Sequence, residues 1–543
     1  MDDDRIELAV VGAGPCGLAI LSRLSRDCTS TGTHELGPES AAAILRATVV
    51  IDPAGGWLAA WRRKLGSQGV AQLRSPAFVH PHPSRVIDET LRRWADAHGR
   101  RAELDAIAAA DVADVPRDRP WHTPSAGAFD GFCAGLLAEH GGPVRLRAAR
   151  VVDVRPLSPP ADGFELRLDR GEPRTLRARR VVLAVGDGAT PRLPPWWERA
   201  RAAAPPGRLL HATELAQTHD APPLPHPPPP DPGGGAAAAA AVCHGCAAEP
   251  PRWAPPRPPA PRRLLARALR RLMAALAGRP AWRRALALLR VLSDRCCAFD
   301  AAAGCALGLA PGLGLAAAAR PCGAGRLVVV GGGLSAAQLA VHAVHAGWSH
   351  VTLLVRSAAL EVRPFDISAE WMARHFSCEF SPLERAFYQA EPEGRRALLA
   401  AARRGGSVTP AVARLLGELE RRGGLRVALG VETDGVRWTG AEWEVRLAAP
   451  AAEATVKADA VWLATGNHLD AAGVDALRTV RAARPTPEVG GLPVLTPTLR
   501  WAEGMELYVC GALSAMQIGP DAFNLAGAGA GAARVVSAIL TNR

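Results

Sequence analysis

The chain has 543 residues, 48% apolar and 21% charged, and at roughly 100–200 residues per domain that suggests about three domain-sized units with ample apolar surface for a core. This excludes a wholly disordered chain, a coiled coil and a small disulfide scaffold. The formal charge of +12 is local, because residues 249–325 carry 13 arginines against Glu249, Asp294 and Asp300; the remainder presents no broad basic face for nucleic acid. Lysine occurs only as Lys64 and Lys457, so the arginine excess, with so much Ala, Pro and Gly, reads as GC-rich coding as much as selection for a partner. Eleven cysteines without a regular framework read as reduced thiols in a cytoplasmic setting. A strand begins almost at once after the acidic start, which leaves no room for a signal peptide.

Residues 6–26 pass from a β-rich apolar run through glycines into a helical pattern. Residues 27–43 are polar and turn-rich and read as a surface insertion. A second strand ends at Asp52, alternating runs follow at 144–154 and 163–168, and VVLAVG at 181–186 ends on a glycine. The second half repeats this order: strand, glycines and helix at 326–343, a strand at 350–357, alternating runs at 425–431 and 442–447, and AVWLATG at 460–466. Between the halves, residues 220–262 are dominated by Pro, Gly and Ala and cannot bury enough apolar surface to offset ordering entropy. Residues 262–292 are basic with a helical period and read as a marginal helix in a drifted insert, the sharper reading being weak contact with an anionic membrane surface. Residues 301–319 lack charge, but Ala, Gly and Pro311 make them a poor spanning helix.

Gly12-Ala13-Gly14-Pro15-Cys16-Gly17 carries the dinucleotide pattern in its required strand–turn–helix context. The first glycine allows the tight turn, the second lets backbone approach a pyrophosphate, and the third lets the helix pack on the sheet. The helix N-terminus then aims N–H groups at the phosphates. Asp52 closes the second strand and is placed to take ribose hydroxyls. Gly331, Gly333 and Ala336 form a GxGxxA variant, and its second strand ends at Arg356-Ser357, where an Arg in place of an acid favours the 2′-phosphate of NADPH. His80-Pro81-His82-Pro83 reads as a loop lining the surface rather than a metal site, and no metal is expected. Cys243-His244-Gly245-Cys246 has no second ligand pair for zinc.

Two such sites at this spacing resemble the two-domain flavoprotein superfamily, with FAD in the first and NAD(P)H in the second. The resemblance implies an α/β fold of two Rossmann-like FAD/NAD(P)-binding domains. The NAD(P) unit would be inserted in the FAD unit: 1–217 FAD-binding, 218–324 low-complexity insert, 325–457 NAD(P)-binding and 458–543 the C-terminal part of the FAD unit. Gly511, after the strand LYVC, and Asn524, opening an Ala-rich helix, would lie near the flavin; the acid common after that glycine in disulfide reductases is absent at Ala512. The first place for a redox cysteine pair reads AGGWLAAW with no Cys, and dithiol chemistry is not expected. DPAGGWLAAW, with Trp57, instead resembles the flavin-dependent monooxygenases, including the lysine and ornithine N-hydroxylases. There Gln72 and Arg74 would face flavin and nicotinamide as the catalytic positions. PPGRLLHATEL keeps Gly207 and His211 of the monooxygenase fingerprint but departs from it at Pro205 and Leu215. Ala464-Thr465-Gly466 resembles the ATG linking motif. Segments 363–376 and 405–407 look like nucleotide-domain inserts and carry no substrate information.

What this resemblance implies is an FAD- and NADPH-dependent monooxygenase acting through a flavin hydroperoxide on a small amine- or sulfur-containing substrate, with dioxygen as co-substrate. A reductase or oxidase with the same cofactors, and a nucleotide-binding relative without turnover, are the competing readings.

Overall fold

The run IELAVV interrupts its apolar residues only at Glu7, as a strand buried between layers requires, and forms strand β1 (Ile6–Val11). The computed structural model describes residues 6–29, 38–83, 90–107, 121–142, 144–157, 162–186, 189–217, 325–375, 380–448 and 454–541. In it β1 lies between β2 (Thr48–Asp52) and the long strand Thr175–Leu183, parallel to both. Arg145–Ala148 extends the sheet beyond β2, and Leu507–Val509 lies beyond Thr175–Leu183, again parallel. Val151–Pro156 and Phe164–Leu168 form an antiparallel meander that feeds into Thr175–Leu183.

A second sheet has the same plan. Arg326–Val330 lies between His350–Val355 and Ala460–Leu463, with Leu425–Leu429 and Leu209–His211 at the edges, all parallel. Its meander is Thr433–Trp438, Trp443–Leu447 and Thr455–Ala458. Both sheets thus run edge, second strand, first strand, return strand, last strand. They differ at the return. Thr175–Leu183 serves meander and sheet together, while the second copy breaks at Asp459, whose carboxylate accepts the Arg326 N–H at 2.7 Å.

The alternation of strand side chains divides the second core into two faces. Leu327, Val329 and Trp462 pack with the helix Leu334–His345. Val328, Val461 and Leu463 pack with Trp443 of the meander and with Trp196 and Trp197. In the first sheet the helix Leu525–Thr541 covers one face, with Val535, Val536 and Ile539 buried in the same core as β1.

Several expectations from sequence are corrected. Ile44 and Leu45 give residues 38–46 an apolar stripe, so part of 27–43 is the helix Pro38–Arg46 rather than surface insertion. The runs at 144–154 and 425–431 each begin with a parallel edge strand, and only the residues after it form the meander. Leu209–His211 and Ala460–Leu463 pair in the second sheet, so the boundaries drawn at 217 and 458 cut across it. Phe365, Trp371, Met372, Phe387 and Leu399, placed by sequence in the NAD(P) unit, are buried in the first core. His80 does not line the surface: its ring is buried edge-on against Phe132, and half-buried His82 is tilted against the same ring. The 218–324 insert, its basic stretch 262–292 and the Cys243–Cys246 pair lie outside the described residues. Among the described residues no helix is long and apolar enough to cross a membrane.

Candidate functional site: a cavity shared by two glycine turns

Each glycine turn is fixed by the return strand of its own sheet. Gly12 has φ +113°, and a Cβ on it would stand 2.3 Å from the Ala184 carbonyl oxygen. Gly331 has φ +152°, and its Cβ would stand 2.4 Å from the Ala464 carbonyl oxygen. Only glycine fits either place. Gly17 carries the helix close under the turn, where a Cβ would come 2.1 Å from the Gly12 carbonyl oxygen. The second copy tolerates Ala336 there, and it is fully buried.

The segment after β2 clamps the first turn. Asp52 accepts the Ala13 N–H at 2.9 Å and the Ala54 N–H at 2.8 Å, one on each carboxylate oxygen. The Leu58 N–H donates to the Ala13 carbonyl at 2.7 Å. Asp52 is therefore a buried support of the turn as well as a residue on its rim, and each oxygen keeps a lone pair for a ribose hydroxyl. Trp57 packs beneath Gly17, off the cavity, while Trp61 faces it.

Both turns open on one cavity of about 1750 Å³. Of the residues expected at the two sites, all line it except Gly17, Trp57 and Ala336, which support the turns from behind. Gly14 has nothing within 4 Å of its would-be Cβ, so its backbone is open to a ligand. Gly466 and Gly511 hold positive φ at the ends of their sheets. Asn524 caps the helix Leu525–Thr541 by accepting the Ala526 N–H at 2.9 Å. Arg356 stands exposed at the end of His350–Val355, 3.8 Å from Glu432.

The two catalytic candidates serve different ends. The Gln72 amide donates to the Thr123 carbonyl, within the first unit, and the residue lines the cavity. The Arg74 guanidinium spends its donors mostly on main chain, on the carbonyls of Arg363 at 3.0 Å and Phe365 at 2.6 Å, and also on the Ser407 hydroxyl at 2.7 Å. Burial pushes it down to about 10, so it remains charged at neutral pH. Arg74 ties the first unit to residues 363–407, a geometry expected of a positioning group.

Three features were not anticipated. Cys16 and Cys510 hydrogen-bond thiol to thiol beside the first turn, although no cysteine pair was expected there. Arg403 pairs with Asp366 at 2.8 Å and stacks 4.3 Å over the ring of Phe523, at the cavity wall. His211 of the partial fingerprint is buried, with Nδ1 2.8 Å from Thr213 Oγ1, and supports the edge strand of the second sheet. Among the described residues no three His, Cys, Asp or Glu side chains gather as a metal site.

Fold and site together define a protein of two Rossmann-like units, each with a glycine turn between its first strand and helix. Residues 9–188 match the FAD-NAD(P)-binding family model. No curated protein sequence matches the chain. Among solved structures, the ornithine N-hydroxylase of Kutzneria sp. 744, recorded with reduced FAD, NADP⁺ and L-ornithine, superposes with a TM-score of 0.58 at 14% identity, covering 98% of each chain. The reduced ornithine hydroxylase of Pseudomonas aeruginosa gives 0.59 at 15%, again over 98% of each chain. The L-lysine 6-monooxygenase of Pseudomonas syringae gives 0.55 at 15% over 98% of each. At these identities the likeness is one of fold.

Proposed function

We propose that the protein is an FAD- and NADPH-dependent oxidoreductase, and within that class a monooxygenase that oxygenates a small amine- or sulfur-containing substrate. One observation carries the reading. Both glycine turns face a single cavity of about 1750 Å³, large for one drug-sized ligand and suited to two dinucleotides meeting end to end. Bound FAD supplies the hydride and oxygen chemistry, and the protein supplies binding and orientation.

The chain's own residues divide that work. Gly14 leaves the helix Pro15–Thr29 open at its N-terminus for a pyrophosphate, with Asp52 at the ribose. Gly333 begins the helix Leu334–His345 without a side-chain cap, leaving its first N–H groups to a ligand. Arg356 takes the 2′-phosphate. The helix Leu525–Thr541 starts at the cavity and favours negative charge at that end. Arg74 holds residues 363–407 against the first unit, and Gln72 braces the cavity wall against Thr123.

The test is the absorption spectrum of the purified protein before and after anaerobic NADPH. Yellow protein that bleaches is expected; colourless protein, or a flavin band untouched by NADPH, overturns the cofactor assignment. Oxygen consumed against peroxide released then separates the subclasses. Peroxide that falls as an amine or thioether is added supports oxygenation, whereas one-for-one peroxide with every substrate returns the protein to an oxidase.

A further inference from the structure

The second glycine of each dinucleotide turn is the point of closest approach to pyrophosphate, and the two turns differ there. Gly14 is open. Gly333 is not: a Cβ on it would lie 3.5 Å from the Gly406 Cα. In the other direction, a Cβ on Gly406 would lie 2.7 Å from the Gly333 Cα and 2.8 Å from its nitrogen. The backbone of Gly406 thus lies against the second glycine of this turn, at one edge of the cavity that residues 331–333 and 404–406 line together.

The segment that does this belongs to both units. After the strand His350–Val355 the chain leaves the second sheet, and Phe365, Trp371 and Leu399 are buried in the first core. It returns through residues 404–408 across the Gly331–Gly333 turn. Val362 and Val408 pair as a parallel bridge, which closes the excursion at its neck. Val408 donates to the Glu361 carbonyl at 2.8 Å, and Arg363 donates back to the Val408 carbonyl at 2.9 Å. Arg74, on the flavin side of the cavity, grips both arms of this neck through the Arg363 and Phe365 carbonyls and Ser407 Oγ. Gly405, at φ +64°, allows the reversal that lays Gly406 on the turn.

We propose that residues 404–408 are a strap that covers the pyrophosphate edge of the second nucleotide site and is latched to the cavity wall by Arg74. The nucleotide's pyrophosphate displaces the strap. Its affinity is therefore reduced by the fraction of molecules in the closed form, and the latch couples that fraction to the state of the flavin pocket. The proposal rests on the second turn being a nicotinamide-nucleotide site.

Gly406→Ala tests it, because the added methyl cannot seat against Gly333 and holds the strap off the turn. Titration of the full-length, flavin-loaded protein with NADP⁺, followed by tryptophan fluorescence, is expected to give a dissociation constant about fivefold or more below that of the unaltered protein. Flavin content should not change. A second measurement needs no variant: hydrogen exchange at the amides of 404–408 in the unaltered protein should accelerate on adding NADP⁺. Binding in Gly406→Ala that is equal or weaker, or NADP⁺ that protects 404–408, overturns the strap while leaving the nucleotide site standing. If neither protein binds NADP⁺ or NAD⁺, the functional reading fails and the strap fails with it.

Discussion

Cys16 and Cys510 meet thiol to thiol between the first glycine turn and the end of the strand Leu507–Val509. Small residues make the room. A Cβ on Gly511 would lie 3.5 Å from the Cys16 sulfur, and one on Gly531 would lie 2.7 Å from the Cys510 sulfur. Donation from Cys510 holds the Cys16 thiol below its ordinary range, while the same bond and burial push Cys510 up. Cys510→Ala removes the donor, so Cys16 should titrate at higher pH. The pH profile of Cys16 alkylation, read by peptide mass spectrometry, should move to the alkaline side, and Cys510→Ser should restore part of the shift. An unmoved profile would show that Cys510 does not set the Cys16 thiol.

Gly14→Val separates ligand approach from folding. Nothing in the protein lies within 4 Å of the added Cβ, so the flavin-free fold should keep its thermal midpoint. Flavin occupancy should fall at least about tenfold, or ~1.4 kcal/mol in binding. Absorbance at the flavin band against protein concentration measures it, and full occupancy would displace FAD from this turn.

Arg356→Ala addresses coenzyme choice. The exposed contact with Glu432 at 3.8 Å is worth little by itself, so its loss should not destabilise the protein. A charge-assisted phosphate contact is worth about 1.5–3 kcal/mol, roughly 10- to 150-fold in NADPH affinity. Affinity for NADH should stay within a factor of about two. Equal losses for both coenzymes would take Arg356 away from the 2′-phosphate.

His80 gives the fold an acid-side weakness. Its ring is packed against Phe132 and His82, and burial pushes it down to about 3 from 6.5. The unfolded chain therefore binds a proton that the folded one refuses. The penalty for burying neutral His80 is absent above pH 6.5 and grows as pH drops toward 3, with the neighbouring His82 and His140, also lowered by burial, adding to it. His80→Phe should flatten the slope of thermal midpoint against pH between about 6.5 and 4. An unchanged slope would place the acid sensitivity elsewhere.

Replacement of residues 220–320 by a Gly/Ser linker should leave flavin content and NADPH-driven bleaching intact. The strands on either side of it, Leu209–His211 and Arg326–Val330, both pair with Ala460–Leu463, so their separation is two strand spacings, about 10 Å. Loop closure depends only logarithmically on length. A linker protein that folds yet loses NADPH binding would make the segment a working part of the nucleotide site.

Both turns were legible in the sequence because their glycines answer to backbone, and a carbonyl from the return strand demands glycine whatever else the chain contains. The return strands were legible for the same reason, through Ala184-Val185-Gly186 and Ala464-Thr465-Gly466. The part played by Arg74 was not, since its partners are mostly main-chain carbonyls of residues 363–365 and 407, and a carbonyl leaves no mark on residue type. The Cys16–Cys510 contact depends on the strand order that sets Leu507–Val509 beside Thr175–Leu183. The burial of Phe365 and Trp371 in the first core was hidden too, because apolar residues state that they will be covered but not by which sheet.

The chain passes from the first sheet to the second through Ala189–Pro191 and returns through Asn467–Leu469, and these two crossings pair antiparallel. The inserted unit thus enters and leaves at one doorway. A segment with adjacent ends can be lifted out and exchanged as a cassette, carrying its own glycine turn and leaving the β1 sheet uncut. The ties that would resist such a transplant are the Arg74 contacts and the apolar residues lent to the first core, so a successful graft must bring residues 361–408 along with the recipient rather than the donor.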